Sequence, residues 1–324
     1  MIEAQLRDAH DTIIAQFWRE KALPISFQTK DALEIRGMAF RQPRLDTAIV
    51  ISSGRTESFI KYKEFIYDLY LEGYSVFIAD HRGQGLSDRV LAGEAKRQIG
   101  HVRDFQDYVS DLKQFYTDFV RPIGHKKHLL IGHSMGGCIA SLYLETYNQD
   151  FDAAVLSSPM DELALGFLPR LAHDIIDVEV QLGLGEEYAP GEHGYDEGEI
   201  FSAKCLTHSE LRWNIIRREY RDNPDAKLGG PSVLWVKLAQ QAGITARKNA
   251  SDVKVPVLLL QAGSDTIVKP EGQFEFRDRL NQTHPGFCRL EPIEGAFHEI
   301  FVESDLYRKR AFEFILDFIK NHLS

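Results

Sequence analysis

Five short runs constrain this chain most: Thr47–Ile51, Tyr74–Ala79, His128–Ile131, Ala153–Ser157 and Val255–Gln261. Each is apolar along most of its length and lacks the alternation of a strand with one wet face. Strands of that kind belong in a sheet buried on both faces. Between them lie stretches with helical periodicity. Tyr62, Phe65 or Ile66, and Leu69 share one side of the first, and Phe105, Val109, Leu112, Tyr116 and Phe119 form a second seam. Strands alternating with helices predict an α/β fold, a mostly parallel sheet covered by helices on both faces. Residues 3–20 read as a leading helix. Phe27–Phe40 reads as a hairpin turning near Lys30-Asp31. A helix over Pro270–Leu280, a strand over Phe287–Glu291 and a last helix carrying Phe312, Ile315 and Ile319 close the chain.

The alternation breaks at Pro159 and resumes near Val255. Residues 1–160 and 251–324 are therefore read as one core, and residues 161–250 as a helical cap inserted at the strand ends. Long insertions there are commonly lids or binding elements. Within it, Leu168, Leu171, Ile175, Val178 and Leu182 make a helical seam. Glu186–Glu199 is an acidic, glycine-rich loop without Lys or Arg. Thr207-His208-Ser209-Glu210 fits a capping box for a helix ending at Asn223-Pro224.

Charge excludes some partners. The 324 residues carry 38 basic and 48 acidic side chains, a formal net charge of -10. Nucleic acid is not an expected partner, because phosphate binding needs a dense basic face. Attraction to anionic lipid is not global, so any membrane contact must be local. The 3 cysteines, Cys138, Cys205 and Cys288, lack metal or redox spacing and read as free thiols. The N-terminal residues lack the basic start and apolar core of a signal peptide. No apolar run approaches the ~18 residues of a membrane span. The expectation is a cytoplasmic protein, with room for peripheral contact at the inner membrane.

The run His128–Ile131 leads into Gly132-His133-Ser134-Met135-Gly136, a G-x-S-x-G sequence, and small and helix-forming residues follow. A strand turning sharply into a helix holds such a serine at its apex. A serine hydroxyl is a weak nucleophile until a histidine takes its proton and a carboxylate orients that histidine. In this architecture the chain order is serine, acid, histidine. Of the 12 histidines, only His284, His298 and His322 follow Asp265, and His298 alone lies just past a strand end. Asp265 directly follows its own strand and is the preferred acid; Asp161, after the previous strand, is the rival. The backbone N–H of Met135 supplies one oxyanion donor, and the second is assigned to the Ser53-Gly54-Arg55 loop, at Arg55. The Arg55 side chain is read as either a substrate contact or a surface charge. Gly83-Gln84-Gly85 lacks the third glycine of a dinucleotide fingerprint, and His298-Glu299 lacks the second histidine of a zinc helix. Neither a metal nor a cofactor is expected.

Further motifs carry a resemblance. The elbow through Gly137, together with Asp80-His81-Arg82-Gly83-Gln84-Gly85-Leu86-Ser87, resembles the monoacylglycerol-lipase-like branch of serine hydrolases with the α/β-hydrolase fold. Ser53 through Ser58, Tyr188-Ala189-Pro190-Gly191, Asn223-Pro224-Asp225 and Leu228 through Ser232 are similar to bacterial lysophospholipases of that branch, the L-two type. Ser53 departs from the histidine that monoacylglycerol lipases carry before the oxyanion glycine. The resemblance implies hydrolysis of the fatty-acyl ester of a lysophospholipid, a small-molecule lipid, through an acyl-enzyme on Ser134. Gly54 would touch substrate, and Leu168, Leu171 and Ile175 would line an acyl tunnel or else pack the cap. Arg212, Arg217, Arg218 and Arg221 would meet lipid phosphate or else face solvent. The alternatives are a monoacylglycerol lipase or general carboxylesterase, then an aminopeptidase of the same clan, then a non-catalytic scaffold.

Overall fold

The computed structural model describes residues 1–164 and 169–323, with the backbone alone at 169–173 and 203. Eight strands form one sheet in the order β1-β2-β4-β3-β5-β6-β7-β8. They are β1 (Leu23–Gln28), β2 (Glu34–Phe40), β3 (Thr47–Ser52), β4 (Ser75–Ala79), β5 (Lys127–His133), β6 (Ala153–Ser157), β7 (Val257–Ala262) and β8 (Cys288–Ile293). The β1–β2 and β2–β4 pairs are antiparallel; all pairs from β4 to β8 are parallel. The ten α-helices among the described residues are α1 (Glu3–Ala9), α2 (Ala15–Lys21), α3 (Lys63–Leu71), α4 (Gln106–Phe115), α5 (Met135–Thr146), α6 (Pro169–Gln181), α7 (Glu210–Asp222), α8 (Val233–Lys248), α9 (Pro270–Thr283) and α10 (Asp305–Leu323).

Strand side chains alternate between two cores, as the twofold pleat requires. Val50, Leu130, Leu156 and Leu259 face the layer of α4, α5, α8 and α9. Ile49, Ile51, Leu129, Ile131, Val155 and Leu258 face the layer of α3 and α10. All are essentially inaccessible to water, which explains the continuous apolar runs. The predicted sheet, its hairpin edge and its two helical layers are all present.

Between β6 and β7 the described residues form α6, α7 and α8 and no strand. These helices differ in how they pack. α8 buries Val233, Trp235, Val236, Ala239 and Ala246 in the core shared with α5 and α9. It therefore behaves as a crossover helix, although the sequence boundary at 250 groups it with the insertion. α7 starts two residues later than the expected capping box. Ser209 is its N-cap, accepting from the Arg212 N–H at 3.1 Å, while the Thr207 hydroxyl donates to the Val302 carbonyl at 2.8 Å.

The seam on α6 is also reversed. Ile176 is buried, whereas Ile175, Val178 and Leu182 are 42%, 52% and 70% exposed. Ile175, expected to line a tunnel, points outward because its neighbour Ile176 takes the inward position. Leu168 lies outside the described residues, as does the side chain of Leu171.

Candidate active site

Every loop named for chemistry leaves the carboxyl end of a parallel strand: Ser53–Arg55 from β3, Ser134 from β5, Asp265 from β7 and His298 from β8. This is where open α/β sheets gather ligand contacts. Ser134 sits at φ 53°, ψ -119°, a conformation that L-residues rarely hold. It persists because the surroundings leave no alternative. A Cβ on Gly136 would meet the Ser52 carbonyl oxygen at 2.1 Å, so only glycine lets α5 come this close to β3. The Ser134 N–H is held by the Ser157 carbonyl at 3.0 Å, which fixes the turn to β6.

The Ser134 hydroxyl lies 2.8 Å from His298 Nε2, and His298 Nδ1 lies 2.7 Å from Asp265 Oδ2. Asp265 Oδ1 accepts from the N–H groups of Ile267 and Val268 at 2.8 and 3.1 Å, so both carboxylate oxygens are directed. His298 and Asp265 are buried, with side chains 3% and 5% exposed. The sequence left two acids open, and Asp265 is the one that touches the histidine. Asp161 is buried after β6, and neither carboxylate oxygen has a hydrogen-bond partner among the described residues. Burial pushes its carboxyl up to about 7.

The β3 loop is braced from three sides. Gln84 Nε2 donates to the carbonyls of Gly54 and Glu57 at 2.7 and 3.0 Å. The Gly54 N–H and the Tyr62 hydroxyl both donate to Glu57 Oε2 at 2.5 Å. Asp80 accepts from the Ser58 hydroxyl at 2.7 Å and from the N–H groups of Phe59 and Leu86 at 2.6 and 2.7 Å. The Asp80–Ser87 motif thus serves as a buttress under the loop. Gly85 is required within it, because a Cβ there would stand 2.1 Å from Asp80 Oδ2. The backbone N–H groups of Arg55 and Met135 make no hydrogen bond among the described residues.

Sequence reasoning missed a buried charge cluster beside this line. Lys61 pairs with both Glu57 and Glu299, its Nζ lying 2.5 Å from Glu299 Oε2. His133 Nε2 is 3.3 Å from the same oxygen, and its ring centroid is 5.1 Å from that of His298. Burial opposes a charge on His133, but the carboxylates of Glu299 and Glu57 outweigh it and hold its pKa above the ordinary value. Burial also opposes the Glu299 carboxylate, but Lys61 and His133 keep it well below the usual range. Glu57, His133 and Glu299 have donor atoms close enough to surround one cation. The Lys61 ammonium already pairs with both carboxylates. The available signals were weak: Glu57 and Lys61 stand one helical turn apart, and His133 and Glu299 adjoin Ser134 and His298.

Residues 43–305 match the family described as Hydrolase_4: serine aminopeptidase, S33. The chain belongs to that family. It is 35% identical to lysophospholipase L2 of Escherichia coli (strain K12) over 96% of this chain and 91% of that one. It is 26% identical to human monoglyceride lipase, covering 79% of this chain and 76% of the relative. Among solved structures, a soluble variant of monoglyceride lipase from Saccharomyces cerevisiae, in complex with a substrate analog, superposes with a TM-score of 0.70. It is 20% identical and covers 94% of this chain and 98% of its own.

A cavity of about 400 Å³ is lined by Arg55 of the β3 loop, by Glu299, which follows His298 in the chain, and by Tyr195, Trp213 and Arg217 from between β6 and β7; Ser134, Asp265 and His298 themselves do not line it. Of the four arginines considered for lipid phosphate, only Arg217 lines it. Arg212 is buried in ion pairs with Glu64 and Asp305 at 2.8 and 2.9 Å, Arg218 pairs with Asp11, and Arg221 is exposed.

Proposed function

We propose that this chain is a lysophospholipase acting through an acyl-enzyme. Ser134 Oγ attacks the acyl carbonyl carbon while His298 Nε2 takes its proton, and Asp265 stabilises the imidazolium. The N–H groups of Met135 and Arg55 receive the developing oxyanion, each worth about 3 kcal/mol to the transition state. His298 then gives its proton to the departing glycerol oxygen. Water, deprotonated by the same histidine, attacks the acyl carbon; the bond from that carbon to Ser134 Oγ breaks, His298 returns the proton to Oγ, and the fatty acid leaves. One observation carries this chemistry: the unbroken line from Asp265 through His298 to Ser134, at 2.7 and 2.8 Å. The choice of a lysophospholipid follows the 35% identity to lysophospholipase L2 over nearly the whole chain. Monoacylglycerol is the second reading, favoured by the likeness to human and yeast monoglyceride lipases.

Residues 161–250 are proposed as the cap, and the observation that supports this is that Tyr195, Trp213 and Arg217 share a cavity with Arg55 of the β3 loop. No described helix is long and apolar enough to cross a membrane. Peripheral contact with the inner membrane is proposed instead, through the outward Ile175, Val178 and Leu182 of the α6 region.

The test labels Ser134 with a fluorophosphonate, then compares lysophospholipid, monoacylglycerol and short-ester hydrolysis by one preparation. The expected result is a kcat/KM at least tenfold higher for lysophospholipid, with Ser134→Ala losing about 10⁶ in kcat while staying folded. A preference for monoacylglycerol would overturn the substrate; substantial turnover by Ser134→Ala would overturn the mechanism.

A further inference from the structure

Three loops have to keep one register for the reaction: the β3 loop that offers the Arg55 N–H, the elbow that carries Ser134, and the β8 loop that carries His298. Among the described residues, no hydrogen bond runs directly between 53–58 and 294–303. What joins them is the buried charge cluster. Glu57 belongs to the β3 loop, whose Gly54 N–H rests on its Oε2 at 2.5 Å. Glu299 follows His298 directly, and its own N–H donates to the Leu206 carbonyl at 3.0 Å. The Lys61 ammonium stands between the two carboxylates, pairing with Glu57 Oε1 and Glu299 Oε2. The side chains of Lys61 and Glu57 are buried, so salt and water screen these pairs weakly.

The elbow enters the cluster through His133. Its Nδ1 lies 3.2 Å from the Ser157 carbonyl, the same oxygen that accepts the Ser134 N–H. A carbonyl only accepts, so Nδ1 carries a hydrogen. Nε2 faces Glu299 Oε2 at 3.3 Å and Glu57 Oε1 at 3.8 Å. A bare lone pair there would repel both carboxylates, whereas a second hydrogen makes the contact attractive and the ring an imidazolium. That charge stands against burial and is held by Glu299 and Glu57. Two cations and two anions therefore cancel within one cluster, and each belongs to or adjoins a loop that holds a reacting group.

We infer that Lys61 is a positioning residue: through Glu57 and Glu299 it ties the oxyanion-binding loop to the histidine loop, with His133 seating the elbow between them. The inference rests on the acyl-enzyme mechanism proposed above. Without the ammonium, two carboxylates share one imidazolium, and moving apart relieves their repulsion. Glu57 carries Gly54 and the Arg55 N–H with it; Glu299 carries His298. Displacing a donor or a base by about 1 Å costs about 100-fold in the chemical step. Ground-state binding of the ester needs neither group in register, so the loss falls on kcat rather than KM.

The test measures kcat and KM for a lysophospholipid and for a short ester without a head group. The proteins are wild type, Lys61→Met, Lys61→Arg and the double variant Lys61→Met with Glu299→Gln. Lys61→Met should lose about 100-fold in kcat on both esters, with KM within about threefold of wild type. Lys61→Arg, whose fork can span two carboxylates, should regain about tenfold of that loss. The double variant removes one cation and one anion, so it restores charge balance without the tie. Its urea midpoint should exceed that of Lys61→Met, while its kcat stays about 100-fold low. Recovery of both midpoint and kcat in the double variant would overturn the tie, because the ammonium would then only balance charge. A loss confined to the lysophospholipid, or carried by KM, would overturn it in favour of a substrate contact, since Lys61 also lines the cavity. An unchanged kcat in Lys61→Met would overturn it outright. Should Lys61→Met fail to fold, the double variant and Lys61→Arg decide alone, with kcat expected about tenfold higher in the second. A wild type inactive on both esters would overturn the mechanism itself; the tie is read from the ratio of each variant to wild type.

Discussion

At the scale of single residues, the site combines one strained serine with one buried ion network. Asp265 and Asp161 offer a direct contrast. Asp265→Asn should lower kcat about 10⁴-fold, because an amide no longer holds the imidazole in the tautomer that accepts the serine proton. Asp161→Asn should change kcat less than tenfold, since the Asp161 carboxyl touches no catalytic group and burial already pushes it up to about 7. Steady-state rates on purified variants decide it, and the reverse order would move the acid. The chain order of Ser134, Asp265 and His298 was legible because each residue lies in the segment that leaves the carboxyl end of a strand. The His133–Glu299–Lys61–Glu57 cluster was not legible, because its meaning depends on burial that no local pattern announces. Its pH behaviour is testable. His133 is faced by Glu57, Glu299, Lys61, His298 and Phe301. A raised folded-state pKa means that its charge stabilises the fold fully below about pH 6.5, the ordinary histidine value, and ceases to do so as pH rises through the higher folded value. Wild type should therefore exceed Glu299→Gln in stability by more at pH 6 than at pH 9, measured by urea unfolding. A gap that widens toward pH 9 would contradict the charged state of His133.

At the scale of elements, sequence periodicity located the helices but misjudged some of their directions. A three-four seam shows that one face is apolar without showing what covers it. On α4 the seam is buried, with Val109 and Leu112 in the core; on the α6 region it faces outward. Similarly, Thr207 and Glu210 have the residue types of a capping box, yet tertiary bonds from Thr207 to Val302 leave the cap to Ser209. The outward seam has a functional test. Ile175→Glu combined with Val178→Glu should reduce binding to anionic lipid vesicles at least tenfold, because two apolar side chains of about 1.5–3 kcal/mol each no longer enter the interface. Hydrolysis of a water-soluble short ester should change less than twofold. Vesicle sedimentation and ester assays separate the effects. Undiminished sedimentation would overturn the membrane contact proposed for α6.

At the scale of the whole molecule, distant segments meet at Arg212. Its guanidinium is 1% exposed and joins α7 to Glu64 of α3, to the Glu303 carbonyl and to Asp305 at the head of α10. Arg212→Met would strand Glu64 in a buried setting, where the one ion pair left to it among the described residues is with Arg308 at 3.4 Å. The expected loss is about 3–5 kcal/mol of stability, read from the denaturant midpoint, with the fluorophosphonate reaction of the surviving folded enzyme preserved. A midpoint equal to wild type would show that α7 is held by packing alone. The sheet that organises these contacts was readable from its apolar runs. The joining of α7 to α3 and α10 was not, because pairings across such sequence distances leave no periodic trace. The elbow has a practical consequence of its own. Ser134 reaches its strained, hydrogen-bonded state only when β5, α5, the β3 loop and the β8 loop are all in position. A covalent probe that reacts with Ser134 is therefore a census of correctly assembled molecules, able to count native protein in a mixture where mass or absorbance counts every chain alike.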